Sequence, residues 1–319
     1  MNRFGIAAIA ALPALAIIGA ACERIAEWRD SRRYPAVGHR VSIGARELNM
    51  QCAGSGTPTI VYESGKQIPG FFWTPILSRT AAFTRSCWYD RAGIGWSDPA
   101  PAPRTAAEIA SDLHALLRAA DEQPPYVLVA HSLGGFYARV FNGLYRDEVA
   151  GLVLIDPASE DIATRMRSTP RRKPPLSPAA MARIAKTLGF FGIPRLFSEP
   201  TPARPPSWSA SDWRELNALE QEPRAIAANS GEGPYQALGD EARAAGGLGS
   251  VPAIVLSAGH DALPPDALAE KLAIHRELAA TSTNGRAVVI ARSGHFISLE
   301  FPDTVVWAVR DVVERARRR

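Results

Sequence analysis

The sequence predicts an α/β fold: a mainly parallel eight-stranded sheet with helices on both faces and a helical cap insertion. Three observations carry this expectation. Short β-rich runs alternate with amphipathic helical stretches along most of the 319 residues. The central runs, such as Tyr126-Val127-Leu128-Val129-Ala130 and Gly151-Leu152-Val153-Leu154-Ile155, are apolar without alternation, as strands covered on both faces must be. The rhythm then breaks once, across residues 157–250, where prolines crowd and no strand pattern appears.

The elements follow in order. Residues 5–21 carry no charge. As a helix this run would span about 26 Å at ~1.5 Å per residue, short for a ~30 Å hydrocarbon core and long for the apolar part of a signal peptide. Pro13 in its middle would kink a helix in water, a break that membrane helices tolerate. An uncleaved anchor, a cleaved signal, a lipoprotein signal ending at Cys22 and a buried soluble helix all stay open; against the lipoprotein reading, Gly19 stands where a larger aliphatic residue is wanted. Residues 1–35 are read as this segment and its linker. Arg24, Arg29, Arg32 and Arg33 follow the run and only Arg3 precedes it, a bias that by itself would hold the main domain on the cytoplasmic side.

Strand patterns open the core at 40–43 and 47–52, followed by 58–63 and by 84–89, which ends at Asp90. Thr105 and Glu108 form a capping box for a helix whose Ile109, Leu113, Leu116 and Ala120 share one face. Strand 126–130, helix 133–145 and strand 151–155 complete a first core segment, 36–156. In the insertion, 157–250, helical pieces lie near 178–188 and 210–228. Its aromatics Phe190, Phe191, Phe197, Trp208 and Trp213 could cover a site at the sheet's edge, with Phe190, Phe191 and Trp213 as candidates to line a pocket. Strand 252–256, helix 266–279, strand 287–291 and helix 304–317, with Val305, Val309, Val312 and Val313 apolar, return the chain to the core over 251–319.

Composition narrows the function. With 46% hydrophobic and 21% charged residues the chain is globular. Three cysteines cannot build a disulfide scaffold or a four-cysteine zinc site. The formal charge of +4 is mild, and the basic runs Arg32-Arg33, Arg171-Arg172-Lys173 and Arg317-Arg318-Arg319 lack interleaved aromatics, so they read as solvated surface rather than a nucleic-acid face.

The chemistry sits where strand 126–130 turns directly into a helix. Ala130-His131-Ser132-Leu133-Gly134 fits the nucleophile elbow, with Ala in place of the first glycine. The turn is tight, so the residues two before and two after the serine must be small. Ser132 would project from the helix N-terminus, where the Leu133 N–H and the helix dipole face a developing oxyanion. A hydroxyl needs a base, and the base an orienting acid, in the chain order Ser, acid, His. Of six histidines, His39 precedes the serine, and His114 and His275 lie in helices and read as packing or surface residues. His131 is expected to point away from the reacting side. His295, in a loop after the last strand, is the expected base. Asp156 and Asp261 both follow strands between Ser132 and His295, and position alone does not separate them.

With the elbow, Tyr89-Asp90-Arg91-Ala92-Gly93-Ile94-Gly95-Trp96-Ser97-Asp98, the strand ending in Asp156-Pro157, and the turns Gly259-His260-Asp261 and Gly294-His295, the chain resembles the α/β-hydrolase fold family over roughly residues 40–310. The resemblance implies a Ser132–Asp261–His295 triad, because most members place the acid after the seventh strand. Asp90 would be structural, pairing within its own turn. A second oxyanion N–H would come from Lys66, although Glu63-Ser64-Gly65 stands where members often carry His-Gly. The implied activity is hydrolysis of a carboxylic ester or related acyl bond of a small molecule through an acyl-enzyme, with no cofactor or metal and no nucleic acid; the alternatives are acyl transfer or amide cleavage on the same triad, or a non-catalytic ligand-binding protein on a hydrolase scaffold. Members acting on epoxides or haloalkanes use an aspartate nucleophile, and Ser132 stands here instead. The fold would also set the second strand antiparallel beside the fourth, so that Cys52 and Cys87 meet. A disulfide there favours an exported or membrane-anchored domain held through residues 5–21, against the charge bias above.

Overall fold

The computed structural model describes residues 3–165, 176–193, 203–220 and 222–319. Its centre is one eight-stranded sheet: β1 (His39–Ser42), β2 (Glu47–Ala53), β3 (Thr59–Glu63), β4 (Ser86–Tyr89), β5 (Tyr126–His131), β6 (Val149–Ile155), β7 (Ala253–Ala258) and β8 (Gly285–Ile290). The strand order is β1-β2-β4-β3-β5-β6-β7-β8. β2 pairs antiparallel with β1 and β4, and every other pairing is parallel.

The unbroken apolar strands are explained by the two faces. Because side chains alternate along a strand, Tyr126, Leu128 and Ala130 of β5 enter one core, and Val127 and Val129 the other. β6 divides likewise, Leu152 and Leu154 against Val153 and Ile155. Helices Ala106–Ala119 and Gly134–Leu144 cover the first face, with Ile109, Leu113 and Leu116 facing inward. Helices Thr74–Thr80 and Pro302–Arg317 cover the second, through Ile76, Leu77, Val305, Val309, Val312 and Val313. The capping box forms: the Thr105 hydroxyl accepts from the Glu108 N–H at 3.1 Å, and the Glu108 carboxylate accepts from the Thr105 N–H at 2.8 Å.

The described helices of residues 157–250 are Ile162–Arg165, Pro178–Phe190, Ala210–Glu220, Pro223–Gly231 and Tyr235–Ala244, and no described residue there belongs to the sheet. The single helix expected over 210–228 is broken in two. Pro223 lacks the N–H that a continuing helix needs and starts the second helix instead, at a position proline favours. The helices Thr74–Thr80 and Tyr235–Ala244 were not expected. The basic run Arg171-Arg172-Lys173 and Phe197 lie outside the described residues.

Residues Arg3–Arg33 form one helix, and among the described residues no helix is long and apolar enough to cross a membrane. The C-terminal arginines do more than face solvent: Arg317 donates to the Thr57 and Phe83 carbonyls at 2.8 and 2.9 Å, and Arg319 to the Ser250 carbonyl at 2.8 Å. Cys52 and Cys87 stand opposite one another in the β2–β4 register and are joined by a disulfide.

With β3 and β5–β8 parallel, the loops after these strands gather at one edge of the sheet, where open α/β sheets bind ligands. Ser132, Asp156, Asp261 and His295 all lie in those loops.

Candidate active site

Ser132 has φ +52°, in the left-handed region that a non-glycine residue occupies only under constraint. The constraint is visible in the backbone. The Ser132 N–H donates to the Ile155 carbonyl at 3.0 Å, and its own carbonyl accepts from the Gly135 and Ala158 N–H groups at 3.0 and 2.8 Å. The turn must also be small: a Cβ at Gly134 would lie 2.6 Å from the Ser64 carbonyl oxygen and 2.8 Å from that of Glu63. The loop after β3 therefore packs directly on the elbow.

From this turn a continuous chain of hydrogen bonds runs inward. Ser132 Oγ lies 2.9 Å from His295 Nε2, and His295 Nδ1 lies 2.6 Å from Asp156 Oδ2. With a carboxylate at Nδ1, the imidazole carries its proton there and offers the Nε2 lone pair to the serine hydroxyl. Asp156 is 2% exposed. Burial alone would push its carboxyl up, but the His295 hydrogen bond, the nearby Lys271 ammonium and the Ala258 N–H together outweigh it and hold the group at about 2.

The carboxylate that meets His295 is thus that of Asp156, one strand before the Asp261 that the resemblance implies. Asp261 does not meet His295; its carboxylate accepts from Lys271 Nζ at 2.7 Å and from the Ala262 N–H at 3.0 Å. Lys271, on helix Pro265–Ala280, also donates to Asp156 Oδ2 at 2.6 Å. A lysine thus stands between the two candidate carboxylates and holds Asp261 on its far side. Nothing local to either aspartate announces this.

The loop after β3 is held by a second buried cation. Arg91, 3% exposed, donates to the Ser64 and Gly65 carbonyls, each at 2.7 Å. The same guanidinium pairs with Glu63 at 2.8 Å and Glu232 at 3.0 Å. Tyr89 donates to Glu63, and Tyr137 to Glu232 at 2.9 Å. Burial pushes the Glu63 carboxyl up, against the pull of Arg91 and the Tyr89 hydroxyl. The departure at Glu63 is therefore half of an ion pair whose cation grips the two following carbonyls. Because a trans peptide points its C=O and N–H in opposite directions, fixing the Gly65 carbonyl also fixes the Lys66 N–H, facing away from Arg91. Gly65 itself abuts the nucleophile: a Cβ there would sit 3.2 Å from Ser132 Cβ. Leu133 occupies the N-cap of helix Gly134–Leu144, ahead of its first intrahelical bonds. The Lys66 side chain is exposed.

The profile of the Alpha/beta hydrolase family matches residues 68–309. The chain belongs to that family. Among solved structures, this α/β hydrolase is similar to a thermophilic esterase from Thermogutta terrifontis, with 23% identity and a TM-score of 0.63 over 88% of this chain and 99% of that one. It is also similar to the enol-lactonase from Burkholderia xenovorans LB400, with 19% identity and a TM-score of 0.59 over 86% of this chain and all of that one. At these identities the likeness is one of fold. The uncharacterized protein YqjL of Bacillus subtilis is 38% identical over 111 residues, 35% of this chain and 44% of YqjL. The chain spans less than half the length of the curated relatives it matches.

Other residues of this α/β hydrolase fall into supporting places. Asp90 is fully buried and accepts from the Gly70 N–H at 2.7 Å and from Asn49 Nδ2 and the Trp96 N–H at 3.0 Å each. Burial raises it to about 6 despite these donors, and rather than pairing within its own turn alone it ties that turn to β2 and to the segment after β3. His131 does not point away from the site as expected. Its ring lies 4.8 Å from that of His295, and its Nε2 donates to the His295 carbonyl at 3.1 Å. Burial holds it neutral, down at about 3. His114 stacks on Tyr145 and pairs with Glu148. His275 is buried between Ser257 Oγ and the Pro157 carbonyl. Of the aromatics expected to line a pocket, Trp213 is 7% exposed and packs on Trp208, which in turn meets Phe71. Phe190 and Phe191 pack on each other, and Arg24 of the N-terminal helix lies over the Phe190 ring. The first belongs to the core, and the other two to the join between insertion and N-terminal helix. Cys52, Cys87 and Glu122 lie close together, but the disulfide leaves no thiolate to ligate a metal.

Proposed function

We propose that the chain is a serine hydrolase that cleaves a carboxylic ester, or a related acyl bond, through an acyl-enzyme on Ser132. The observation that carries this reading is the unbroken Asp156–His295–Ser132 chain of hydrogen bonds at a strained elbow. His295 Nε2 takes the Ser132 proton as Oγ attacks the carbonyl carbon. Asp156 holds the imidazole in the required tautomer and stabilises the imidazolium that forms. The Leu133 N–H at the helix N-terminus and the Lys66 N–H, fixed through Arg91, receive the oxyanion. His295 then protonates the leaving alkoxide and activates the water that frees the acid. Esters are the first substrates to try because alkoxides leave more readily than amines, and Ser132 rather than a carboxylate at the elbow argues for acyl chemistry over epoxide opening.

A fluorophosphonate probe should label Ser132, which separates an enzyme from a ligand-binding protein on the same scaffold. Ser132→Ala should abolish labelling and lower ester turnover by at least ~10³-fold. Asp156→Asn should cost up to ~10⁴-fold, whereas Asp261→Asn should keep most of the turnover. An active Asp156→Asn beside an inactive Asp261→Asn would return the acid to the seventh strand.

Two further parts complete the reading. Residues 157–250 serve as a cap, which is supported by the Gln67 side chain donating to the Glu220 carbonyl at 2.7 Å and by the Arg91–Glu232 pair. The domain works in an oxidising compartment and associates with a membrane through residues 5–21, for which the disulfide and the uncharged N-terminal run speak. Thiol counting on unreduced protein and fractionation with and without residues 1–35 test these.

A further inference from the structure

The carboxylate that orients His295 is shared. Asp156 Oδ2 accepts from His295 Nδ1 and from Lys271 Nζ, both at 2.6 Å. Lys271 is 5% exposed, and its only other carboxylate among the described residues is Asp261, at 2.7 Å. The result is a row His295–Asp156–Lys271–Asp261 in which charges alternate behind the imidazole. A lysine is not needed to hold Asp156 in position, since the Ala258 N–H already donates to Oδ1 at 2.9 Å. What the ammonium adds is a positive charge on the oxygen that faces the histidine.

We propose that Lys271 and Asp261 are positioning residues that set, through Asp156, the pH at which His295 becomes the free base. The inference rests on the serine-hydrolase reading and deepens it. The other groups facing His295 leave room for this control. His131 from β5 and His275 from the Lys271 helix, whose Nδ1 lies 4.0 Å from Asp156 Oδ1, are both kept neutral by burial, at about 3 and about 4. Glu300, on helix Ile297–Glu300, takes the Gly294 N–H at 2.9 Å and stays fixed on the loop's own backbone. His260 is exposed, and its backbone N–H donates to the Ser293 carbonyl at 2.9 Å. Apart from Glu300, whose charge none of the variants alters, the charges behind the imidazole are Asp156, Lys271 and Asp261, whose sum is −1.

The sign of each perturbation follows. Removing the lysine charge takes that sum to −2, favours the imidazolium and carries the acidic limb of the kcat/KM profile to higher pH. Removing the Asp261 charge takes the sum to 0, leaves Lys271 paired with Asp156 alone, disfavours the imidazolium and carries the limb to lower pH. At an effective dielectric constant of about 20, a charge about 5 Å away is worth about 2 pH units. Asp261 is farther off and partly exposed, so its effect is smaller, about half of that.

The experiment is the pH dependence of kcat/KM with an activated ester for wild type, Lys271→Gln, Asp261→Asn and the double variant, with thermal unfolding measured alongside. Glutamine keeps a donor to Asp156 and loses only the charge. The expected result is opposite shifts for the two single variants and, because the lysine effect is the larger, a double-variant limb between those of wild type and Lys271→Gln. Shifts in the same direction, or none in proteins that still fold, overturn the proposal. If Lys271→Gln fails to fold, Asp261→Asn alone decides, since a limb that stays or moves to higher pH refutes it. Ser132→Ala separates the two levels: turnover surviving in that variant overturns the catalytic reading, whereas loss of turnover with immobile limbs overturns only the role of Lys271 and Asp261.

Discussion

Arg91→Met removes one guanidinium and four hydrogen bonds at once, two to the Glu63 and Glu232 carboxylates and two to the Ser64 and Gly65 carbonyls. Methionine fills much of the volume, so the cost is electrostatic. Glu63 and Glu232 are 1% and 8% exposed, and without Arg91 they face each other with only the Tyr89 and Tyr137 hydroxyls as donors. Stranding a buried charge in this way typically costs about 3–5 kcal/mol. At roughly 2–4 °C per kcal/mol for a chain of this size class, the melting temperature should fall on the order of 10 °C. Burial already pushes the Glu63 carboxyl up, so the variant should relieve the stranded charge by taking up a proton. A raised folded-state value means stability that is fullest at low pH and lost as pH rises, so Arg91→Met should regain stability on acidification. The same change frees the Gly65–Lys66 peptide, and losing one oxyanion donor costs about 10²–10³ in kcat with little effect on KM. Arg91→Lys divides the two effects: one ammonium keeps a charge between the glutamates but cannot also reach both carbonyls, so turnover should fall further than stability. Calorimetry and steady-state kinetics on an aryl ester read both quantities. If Arg91→Met melts and turns over like wild type, the argument that this cation holds the loop is refuted.

Further expectations follow from the same geometry. Replacing Cys52 and Cys87 by serine removes a cross-link spanning 35 residues and should cost about 4 kcal/mol in the chain-entropy account, seen as a lower melting temperature that reductant reproduces in wild type and not in the variant. Asp156, held at about 2 against an ordinary 3.8, contributes stability present above about pH 4 and lost as pH falls through about 2, worth on the order of 2 kcal/mol. Urea unfolding of Asp156→Asn between pH 5 and pH 2 should therefore show a flatter acid-side decline than wild type, and an equally steep one would show that other carboxylates dominate acid unfolding.

What the sequence disclosed, and what it did not, divides by range. The elbow was legible because its requirements are local: a strand run, Ala130 and Gly134 flanking Ser132, and a helix pattern directly after. The capping box at Thr105 and Glu108 and the two-sided strands were legible for the same reason. The carboxylate that meets His295 was not, because Asp156 lies 139 residues from it, and Lys271, 115 residues from Asp156 and 10 from Asp261, contacts both aspartates. Asp261 has the surroundings in sequence that the family leads one to expect, yet a cation on the neighbouring helix takes its carboxylate. Glu63 was noticed as a departure, but its meaning depends on Arg91 and Glu232, 28 and 141 residues from one another's partner in the pairs Arg91–Glu63 and Arg91–Glu232. The two missed features have one physical form. In each, a buried cation contacts two acidic groups from separate segments, and one of its contacts fixes a part of the site: the carboxylate behind His295 in one case, the peptide beside Ser132 in the other. A buried lysine or arginine is tolerated only when such partners surround it, and pairs of that kind are assembled by the fold rather than by neighbours in the chain. In this chain Lys271, on the helix after the seventh strand, and Glu63, where members often carry histidine, are the two positions at which charges from distant segments meet the candidate site.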